Sequence, residues 1–354
     1  MVPGDLLTAT GGYEYDRRVL EELRNLGWAT QALSLDSSFP APTAEALRDA
    51  HRQLAALPSG SLVLLDGLAL GAMPDVVQAH TDRLCMVGLV HHPLAAETGL
   101  SADLVAQLFE SERRALSAMR SVVVTSQSTQ KALAAYGVAS DRIVVVEPGV
   151  DLPADTQPQP DDPSAPVRML CVATITPRKG HDLLVSALSR LTDSSWTLTC
   201  VGDTQRSPAT TRALRMQIEA LKLENRIVLS GEIAESALLR EFRSADLFVL
   251  ATYFEGYGMA VAQALAHGLP VISTRTGAIE ALVPSGAGLL VEPGDATALH
   301  DALSQVLSDP DLRRRLAAGA RVAGSRLASW NAAGQRLSEV LESIAHGFGA
   351  SKAL

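Results

Sequence analysis

Short apolar runs alternate along the chain with longer segments in which apolar residues recur every three to four positions. The runs are rich in Val, Ile and Leu and too short for helices, so they predict buried parallel strands, and the longer segments predict covering helices. The alternation occurs twice, which predicts an α/β protein with two parallel-sheet domains. In the first half, the predicted strands are 31–35, 61–66, 84–90, 121–125 and 142–147, and the predicted helices are 14–26, 43–56, 71–80, 101–118 and 127–136. In the second half, the predicted strands are 168–175, 196–201, 226–229, 246–251, 270–274 and 288–291, and the predicted helices are 180–191, 208–222, 236–244, 257–267, 277–283, 295–307, 310–322 and 328–345.

A proline-rich segment separates the two patterns. Its sequence, DLPADTQPQPDDPSAP, is dominated by Pro, Asp and small polar residues and fits neither a strand nor a helix. It predicts an N-terminal domain over 1–150 and a C-terminal domain over 168–327. Only Met1 and Val2 precede the first turn, so the first central strand is predicted to be truncated, either by a late start site or by loss of most of that strand.

Composition supports two globular domains and excludes other classes. A chain of 354 residues exceeds what one core usually supports, and 47% hydrophobic with 19% charged residues is ordinary for a globular protein. No apolar run approaches the length of about 18 residues that predicts a membrane span, and no signal-peptide pattern opens the sequence, so we expect a cytoplasmic protein. The three cysteines stand singly in apolar runs without metal-ligand spacing, which predicts buried, reduced thiols.

The charge balance argues against two classes of partner. A formal net charge of -9 disfavours nucleic-acid binding, which needs clustered Lys and Arg. Residues 1–150 carry 17 acidic and 11 basic side chains, a balance that repels anionic lipid headgroups and disfavours peripheral membrane association.

The strongest chemical signal lies in residues 253–283, where a strand end leads into a glycine-bearing turn, a helix and another strand. Gly256 and Gly258 allow the backbone to approach a ligand closely, and the amides up to Met259 at the helix start attract phosphate oxygens. Glu255 stands at the carboxyl end of a predicted strand, where it can accept hydrogen bonds from sugar hydroxyls. The segment predicts a site for a phosphorylated sugar.

The same segment resembles the donor motif of family-4 retaining glycosyltransferases, in which Glu, seven residues and a second Glu precede a Gly-x-Pro-Val strand. Glu255 aligns with the first acid, and the resemblance implies that it contacts the transferred sugar, with Tyr257 among the donor-binding residues. Gln263 replaces the second acid, which binds ribose, and keeps an acceptor oxygen without the charge. The resemblance implies a GT-B fold, with two Rossmann-like domains facing across a cleft and the segment 328–354 packing back on the N-terminal domain.

A second family element opens the C-terminal domain, in CVATITPRKGHDLLVSAL. Family members carry Gly-Arg-Leu before a Lys-Gly pair and use both cations on the diphosphate. Lys179 is present, whereas Thr174 stands at the arginine position, and we interpret Arg178 in the same turn as its replacement. A lysine beside a helix start suits this role because a departing diphosphate needs compensating charge. The segment around Gly231 resembles the family's turn beside the nucleotide base.

The N-terminal domain offers two further candidates. Gly11 and Gly12 are predicted to lie in the loop after the first strand, which in the family closes over the donor; a turn without ligand contact is the alternative for Gly12. His91 and His92 follow a strand, and in related enzymes a histidine here lies beside the transferred sugar. Their side chains should point in opposite directions, so either one contacts a substrate or both only satisfy local hydrogen bonds.

No metal or cofactor is expected beyond the nucleotide-sugar co-substrate. The only Asp-x-Asp sequence, at 309–311, has proline in its middle and predicts a helix-capping turn. The remaining histidines show no ligand spacing.

The leading hypothesis is therefore transfer of a hexose from a UDP- or GDP-sugar to a hydroxyl acceptor with retention of configuration. Two alternatives stay open. One is a nucleotide-sugar epimerase on the same scaffold, because fold does not fix chemistry. The other is a nucleotide-sugar-binding protein without turnover, which Gln263 and Thr174 suggest because both depart from the family motif at donor contacts.

Overall fold

The computed structural model describes residues 1–153, 165–192 and 194–348. The chain divides into two compact units, Met1–Gly149 with Ala328–Leu354 (unit 1) and Val150–Leu327 (unit 2). Most of the proline-rich segment that predicted the domain boundary, residues 154–164, lies outside the described residues.

Unit 1 contains parallel strands covered by helices. Strands β3 to β6 form one sheet in that order, and β1 pairs with β2. The strands are β1 (Val2–Pro3), β2 (Ser34–Leu35), β3 (Leu62–Asp66), β4 (Cys85–Val90), β5 (Ser121–Val124) and β6 (Ile143–Val145). The helices are α1 (Gly11–Asn25), α2 (Ala44–Ala56), α3 (Gly67–Leu70), α4 (Pro74–Gln78), α5 (Ala102–Ser117) and α6 (Gln127–Leu133).

The first strand is short, as predicted. The Met1 amine donates to the Leu64 carbonyl at 2.6 Å, and the Asp66 amide donates to the Met1 carbonyl at 3.0 Å. These hydrogen bonds hold the two-residue strand beside β3.

Unit 2 contains one parallel sheet in the order β9-β8-β7-β10-β11-β12. The strands are β7 (Val167–Val172), β8 (Trp196–Val201), β9 (Ile227–Gly231), β10 (Leu247–Leu250), β11 (Val271–Thr274) and β12 (Gly288–Val291). The helices are α7 (His181–Ser189), α8 (Pro208–Ala220), α9 (Glu235–Ser244), α10 (Met259–Ala266), α11 (Ile279–Leu282), α12 (Ala296–Ser308) and α13 (Pro310–Gly324). The chain then returns to unit 1 as α14 (Trp330–Phe348), which packs on α1. The prediction of an α/β protein with parallel sheets in two domains is confirmed.

The central strands of unit 2 are buried on both faces, as expected where helices cover both sides of a parallel sheet. All residues of β10 and β11 are buried, and the core of unit 2 extends from β7 and β8 to α12. Among the described residues, no helix combines the length and the apolar character needed to cross a membrane.

Two predicted helices differ from the structure for local reasons. The helix predicted over 71–80 is replaced by α3 and α4, because Pro74 lacks an amide proton and starts a new helix at its first position. The helix predicted over 257–267 begins only at Met259, because Gly258 adopts a left-handed conformation with φ of 95°.

Candidate functional site

The carboxyl ends of β7 and β10 mark the point at which the strand order of unit 2 reverses. Successive connections leave β7 toward β8 on one side and β10 toward β11 on the other. In open parallel sheets this switch point is where ligands bind. Lys179 follows β7 and Glu255 follows β10, so the two residues singled out from the sequence meet at this point.

Lys179 and Glu255 form a close ion pair. The Lys179 Nζ lies 2.5 Å from the Glu255 Oε1, and the nearest Arg178 nitrogen lies 3.9 Å from the same oxygen. The three side chains are 16%, 9% and 16% exposed in that order, so the charges are largely withdrawn from water. Arg178 also donates from Nη1 to the Phe254 carbonyl at 2.8 Å. Two cations therefore converge on one buried carboxylate.

These neighbours keep Glu255 ionised. Burial by itself raises the pKa of this carboxyl, but the charges of Lys179 and Arg178, with hydrogen bonds from Lys179 and Thr252, outweigh burial and hold the pKa below its ordinary value. Glu255 is consequently an acceptor of hydrogen bonds at neutral pH.

The loops after β7 and β10 are joined by backbone contacts. The Tyr253 amide and the Thr252 hydroxyl both donate to the Arg178 carbonyl, at 2.8 and 3.1 Å. Gly180 has a φ of 62°, and a Cβ there would lie 2.0 Å from the Ala251 carbonyl oxygen. Only glycine permits this approach, which places the preceding lysine beside the end of β10.

A second close approach fixes the turn before α10. A Cβ on Gly277, which has a φ of 55°, would lie 1.9 Å from the Glu255 carbonyl oxygen, and the Ala278 amide donates to the same oxygen at 3.2 Å. Gly258 is the N-cap residue of α10 and has no side chain with which to cap the helix. The helix start is therefore suited to an anion, as the sequence predicts.

Gln263 is engaged with the backbone. Its Nε2 donates to the Asp151 carbonyl at 3.0 Å, and its Oε1 accepts from the Asp151 amide at 3.4 Å. The side chain thus anchors the first residues of unit 2 in the structure. Ribose binding by Gln263 stays a prediction.

The other predicted donor residues of unit 2 differ in surroundings. The Tyr257 ring is buried in an apolar cluster against which Met259 also packs, so we expect the backbone rather than these side chains to contact a ligand. Gly231 ends β9 with a φ of 70°, and its carbonyl accepts from the Gly202 amide at 3.0 Å. Thr174 is half-buried in the loop after β7.

In unit 1, His91 lies between two buried carboxylates. Its Nε2 is 3.2 Å from the Asp16 Oδ1 and 3.6 Å from the Asp66 Oδ2, and each aspartate is 2% exposed. A Cβ on Gly12 would lie 3.2 Å from the His91 ring, so glycine at this position makes room for the imidazole. Gly11 and Gly12 form the first turn of α1, capped by Thr10, so their predicted placement in a loop is wrong.

The carboxylates determine the charge of His91. Burial by itself lowers the pKa of the imidazole, but the charge and hydrogen bond of Asp16, with those of Asp66, raise it to about 10. Burial also raises the pKa of Asp16, against the lowering effect of His91. We therefore assign His91 as an imidazolium at neutral pH.

His92 has a different partner, the Glu97 carboxylate 3.8 Å from its Nε2. The segment after it is held from inside the unit, because the buried Glu112 carboxylate accepts from the Leu94 amide at 3.0 Å. Burial raises the pKa of Glu112 to about 7.

Sequence reasoning missed Glu112, Asp16 and Asp66. Asp66 could have been identified, because it ends β3, and β3 pairs with β4, the strand that His91 follows.

Replacing Asp16 with asparagine is expected to lower the pKa of His91. A raised pKa means that the ion pair stabilises the fold fully below the unfolded value of about 6.5, and that this stabilisation is lost as the pH rises toward about 10. The stability advantage of the native protein over Asp16→Asn should therefore shrink between these values. NMR titration of His91 and urea unfolding measure both effects, with the exposed Asp82→Asn as control. An unchanged His91 titration in Asp16→Asn would contradict the assignment.

The helix-capping prediction at 309–311 is confirmed, since the Asp309 Oδ1 accepts from the Leu312 amide at 2.8 Å and Pro310 occupies the first turn of α13.

Known proteins resemble this chain in sequence and fold. A D-inositol 3-phosphate glycosyltransferase of Xylanimonas cellulosilytica is 30% identical over 233 residues, which cover 62% of this chain and 55% of that protein. The chain thus aligns with little more than half the length of this curated relative. Sucrose-phosphate synthase of Thermosynechococcus elongatus shares the fold with a TM-score of 0.80 at 21% identity, over 98% of each chain. Anabaena HepE in complex with UDP and glucose has a TM-score of 0.73 at 18% identity, over 97% of this chain and 98% of that one. These solved structures have the GT-B fold.

Two family models match adjoining parts of the chain. Residues 17–153 match Glycosyltransferase Family 4, and residues 155–323 match Glycosyl transferases group 1. Together they cover most of the sequence, and the second spans the Lys179 and Glu255 site. The C-terminal part of the chain therefore matches the group 1 glycosyltransferases and the N-terminal part matches glycosyltransferase family 4, on a GT-B fold.

Proposed function

We propose that this protein transfers a hexose from a UDP- or GDP-sugar to a hydroxyl acceptor with retention of anomeric configuration. The observation that carries the proposal is the convergence of Lys179, Arg178 and Glu255 at the switch point of unit 2. A cationic group and a carboxylate side by side suit a ligand that carries a diphosphate and a polyhydroxylated ring together.

The cations and the start of α10 would stabilise the leaving group. Breaking the bond between sugar and phosphate leaves negative charge on the diphosphate, and preorganised positive groups lower that barrier. Lys179, assisted by Arg178 and the amides of Gly256 to Met259, supplies this stabilisation. Glu255 holds Lys179 at 2.5 Å, which keeps the ammonium in place for the diphosphate.

Glu255 would orient the sugar. Its lowered pKa keeps it ionised, so it accepts hydrogen bonds from ring hydroxyls but has no proton to donate. We assign it to sugar binding and to stabilisation of positive charge that develops at the anomeric carbon when the diphosphate departs on the face that the acceptor attacks.

In unit 1, we propose that His91 or His92 binds a hydroxyl or phosphate oxygen of a substrate. The imidazolium that Asp16 and Asp66 maintain on His91 is a hydrogen-bond donor with positive charge. Gly12 has no side chain, which leaves space for the His91 ring.

Product analysis tests the proposal. We would screen UDP- and GDP-hexoses by thermal shift, since a ligand that binds only the folded state raises the melting temperature. Each stabilising donor would then be incubated with a panel of hydroxyl acceptors that includes phosphorylated polyols, and the anomeric configuration of the product read by NMR. Transfer with retention supports the proposal; an inverted product or an epimerised donor contradicts it.

A binding protein without turnover is the second candidate. It is favoured by the engagement of Gln263 with Asp151, because the family uses an acid at this position for ribose. Binding of nucleotide sugars without transfer or hydrolysis across the same panel would select this alternative.

Exchange of Gln263 for glutamate restores the family residue. We expect Gln263→Glu to tighten donor binding or leave it unchanged, because a carboxylate accepts hydrogen bonds from both ribose hydroxyls. Calorimetric titration with the stabilising donor measures the effect, with Gln305→Glu on α12 as control. A loss of affinity greater than about tenfold would show instead that donor binding depends on the hydrogen bonds between Gln263 and the Asp151 backbone.

We also propose that transfer needs no cofactor and no divalent cation at the diphosphate, since Lys179 and the helix start supply positive charge there. Activity that is lost in EDTA and restored by excess Mg²⁺ or Mn²⁺ would contradict this. A cytoplasmic location is part of the proposal as well, supported by the three free, buried cysteines. Fractionation that recovers the protein outside the cytoplasm would overturn it.

A further inference from the structure

Three metal-binding side chains meet inside unit 2, beneath the loop that carries Lys179. Cys171 lies on β7, Cys200 lies on β8, and His181 is the first residue of α7. Their ligand atoms, two sulfurs and one imidazole nitrogen, all lie within 4.8 Å of one another. The three side chains are 1%, 3% and 3% exposed for Cys171, Cys200 and His181. None of these residues enters the proposed transfer reaction.

The backbone explains why the ligands meet although they are far apart in sequence. Cys171 and Cys200 are register partners on neighbouring parallel strands, so their side chains leave the sheet on the same face. The left-handed turn at Gly180 starts α7 directly above this face and directs the His181 ring toward the sulfurs. No local ligand spacing exists for sequence analysis to detect.

The distances and charges suit a zinc ion. The Cys171 Sγ lies 3.8 Å from the His181 Nε2. Zinc bonds of about 2.3 Å to sulfur and about 2.0 Å to nitrogen, at tetrahedral angles, place such atoms about 3.6 Å apart, so little movement is required. Two thiolates neutralise a divalent cation, which makes burial of the complex far less costly than burial of a single charge.

The surroundings of His181 point the same way. The Nδ1 of His181 is buried and has no hydrogen-bond partner among the described residues. Burying an imidazole with one unsatisfied nitrogen costs free energy. A bond from Nε2, which faces Cys171, to a metal ion would offset that cost.

We propose that Cys171, Cys200 and His181 bind a structural zinc ion that fastens the start of α7 to β7 and β8. Three protein ligands leave the fourth position of a tetrahedral site to a water molecule. The ion would hold Gly180 and the preceding lysine in place without touching the diphosphate. This inference differs from the sequence-based expectation of no metal, and it does not depend on the proposed transfer reaction.

Metal content of the purified full-length protein tests the proposal. After expression with added zinc and purification without chelator, we expect about one zinc per chain by elemental analysis. Cys171→Ser and Cys200→Ser should each retain less than about a fifth of that amount. Cys85→Ser, which removes a buried thiol from β4 in unit 1, should retain all of it.

Cobalt substitution keeps the test valid if the serine variants fold poorly. Native protein expressed with cobalt should show thiolate-to-cobalt charge transfer and the intense visible bands of tetrahedral coordination. Native protein without stoichiometric zinc and without these cobalt bands would overturn the proposal, and so would full zinc retention in Cys171→Ser.

Discussion

Replacing Lys179 with methionine is expected to reduce turnover by at least about tenfold, equivalent to roughly 1.4 kcal/mol of transition-state stabilisation. Methionine keeps much of the side-chain volume and removes the charge that would face the departing diphosphate. Steady-state transfer with the donor found by screening measures the effect. Lys131→Met, which removes an exposed charge from α6, is the matched control and should behave as the native protein. A native rate in Lys179→Met would remove this lysine from the reaction.

The same substitution should also destabilise unit 2. Glu255 is buried, and without the charge of Lys179 its carboxylate is only partly compensated, a situation that costs about 3 kcal/mol. We expect Lys179→Met to lose stability on this scale in urea unfolding and the double variant Lys179→Met, Glu255→Gln to recover most of it. A double variant that is as unstable as the single one would show that the ion pair is not the source of the loss.

Replacing Gly277 with alanine is expected to destabilise unit 2 and to weaken donor binding. The new Cβ would lie 1.9 Å from the Glu255 carbonyl oxygen at a φ of 55°, so the turn must move and displace the carboxylate with it. Left-handed backbone alone costs alanine about 1–2 kcal/mol, and the clash adds to this. We expect a loss of more than about 2 kcal/mol together with weaker donor binding.

Two alanine variants separate the contributions to this loss. At Gly137, φ is 71° and nothing lies within 4 Å of the new Cβ, so Gly137→Ala reports backbone strain alone. At Gly286, φ lies outside the left-handed range and the space is also open, so Gly286→Ala should be nearly neutral. Equal losses in Gly277→Ala and Gly137→Ala would contradict a steric origin at the Glu255 turn.

The architecture could be predicted from the sequence because strands and helices leave different periodicities. Predicted strands 196–201 and 288–291 coincide with β8 and β12, because turn-forming residues follow both apolar runs, Gly202-Asp203 after the first and Pro293-Gly294 after the second. Lys179 and Glu255 could be paired in advance because each follows a strand, and the carboxyl ends of parallel strands meet at one edge of the sheet.

Contacts made by single side chains across the fold could not be predicted. Nothing in the sequence indicates that Asp16 on α1 contacts His91, or that Gln263 hydrogen-bonds to the Asp151 backbone. Both contacts depend on the position and orientation of a helix against the sheet. The cluster of Cys171, His181 and Cys200 could not be predicted for the same reason. Its ligands come from two strands and a helix and show no repeated spacing.

Calorimetric titration of UDP and GDP into the native protein and into Lys179→Met tests the central claim most directly, because it measures the diphosphate site without requiring the acceptor. We expect one of the two nucleotides to bind the native protein and Lys131→Met equally, and to bind Lys179→Met at least about tenfold more weakly. Binding of neither nucleotide, or equal affinity in native protein and Lys179→Met, would contradict it.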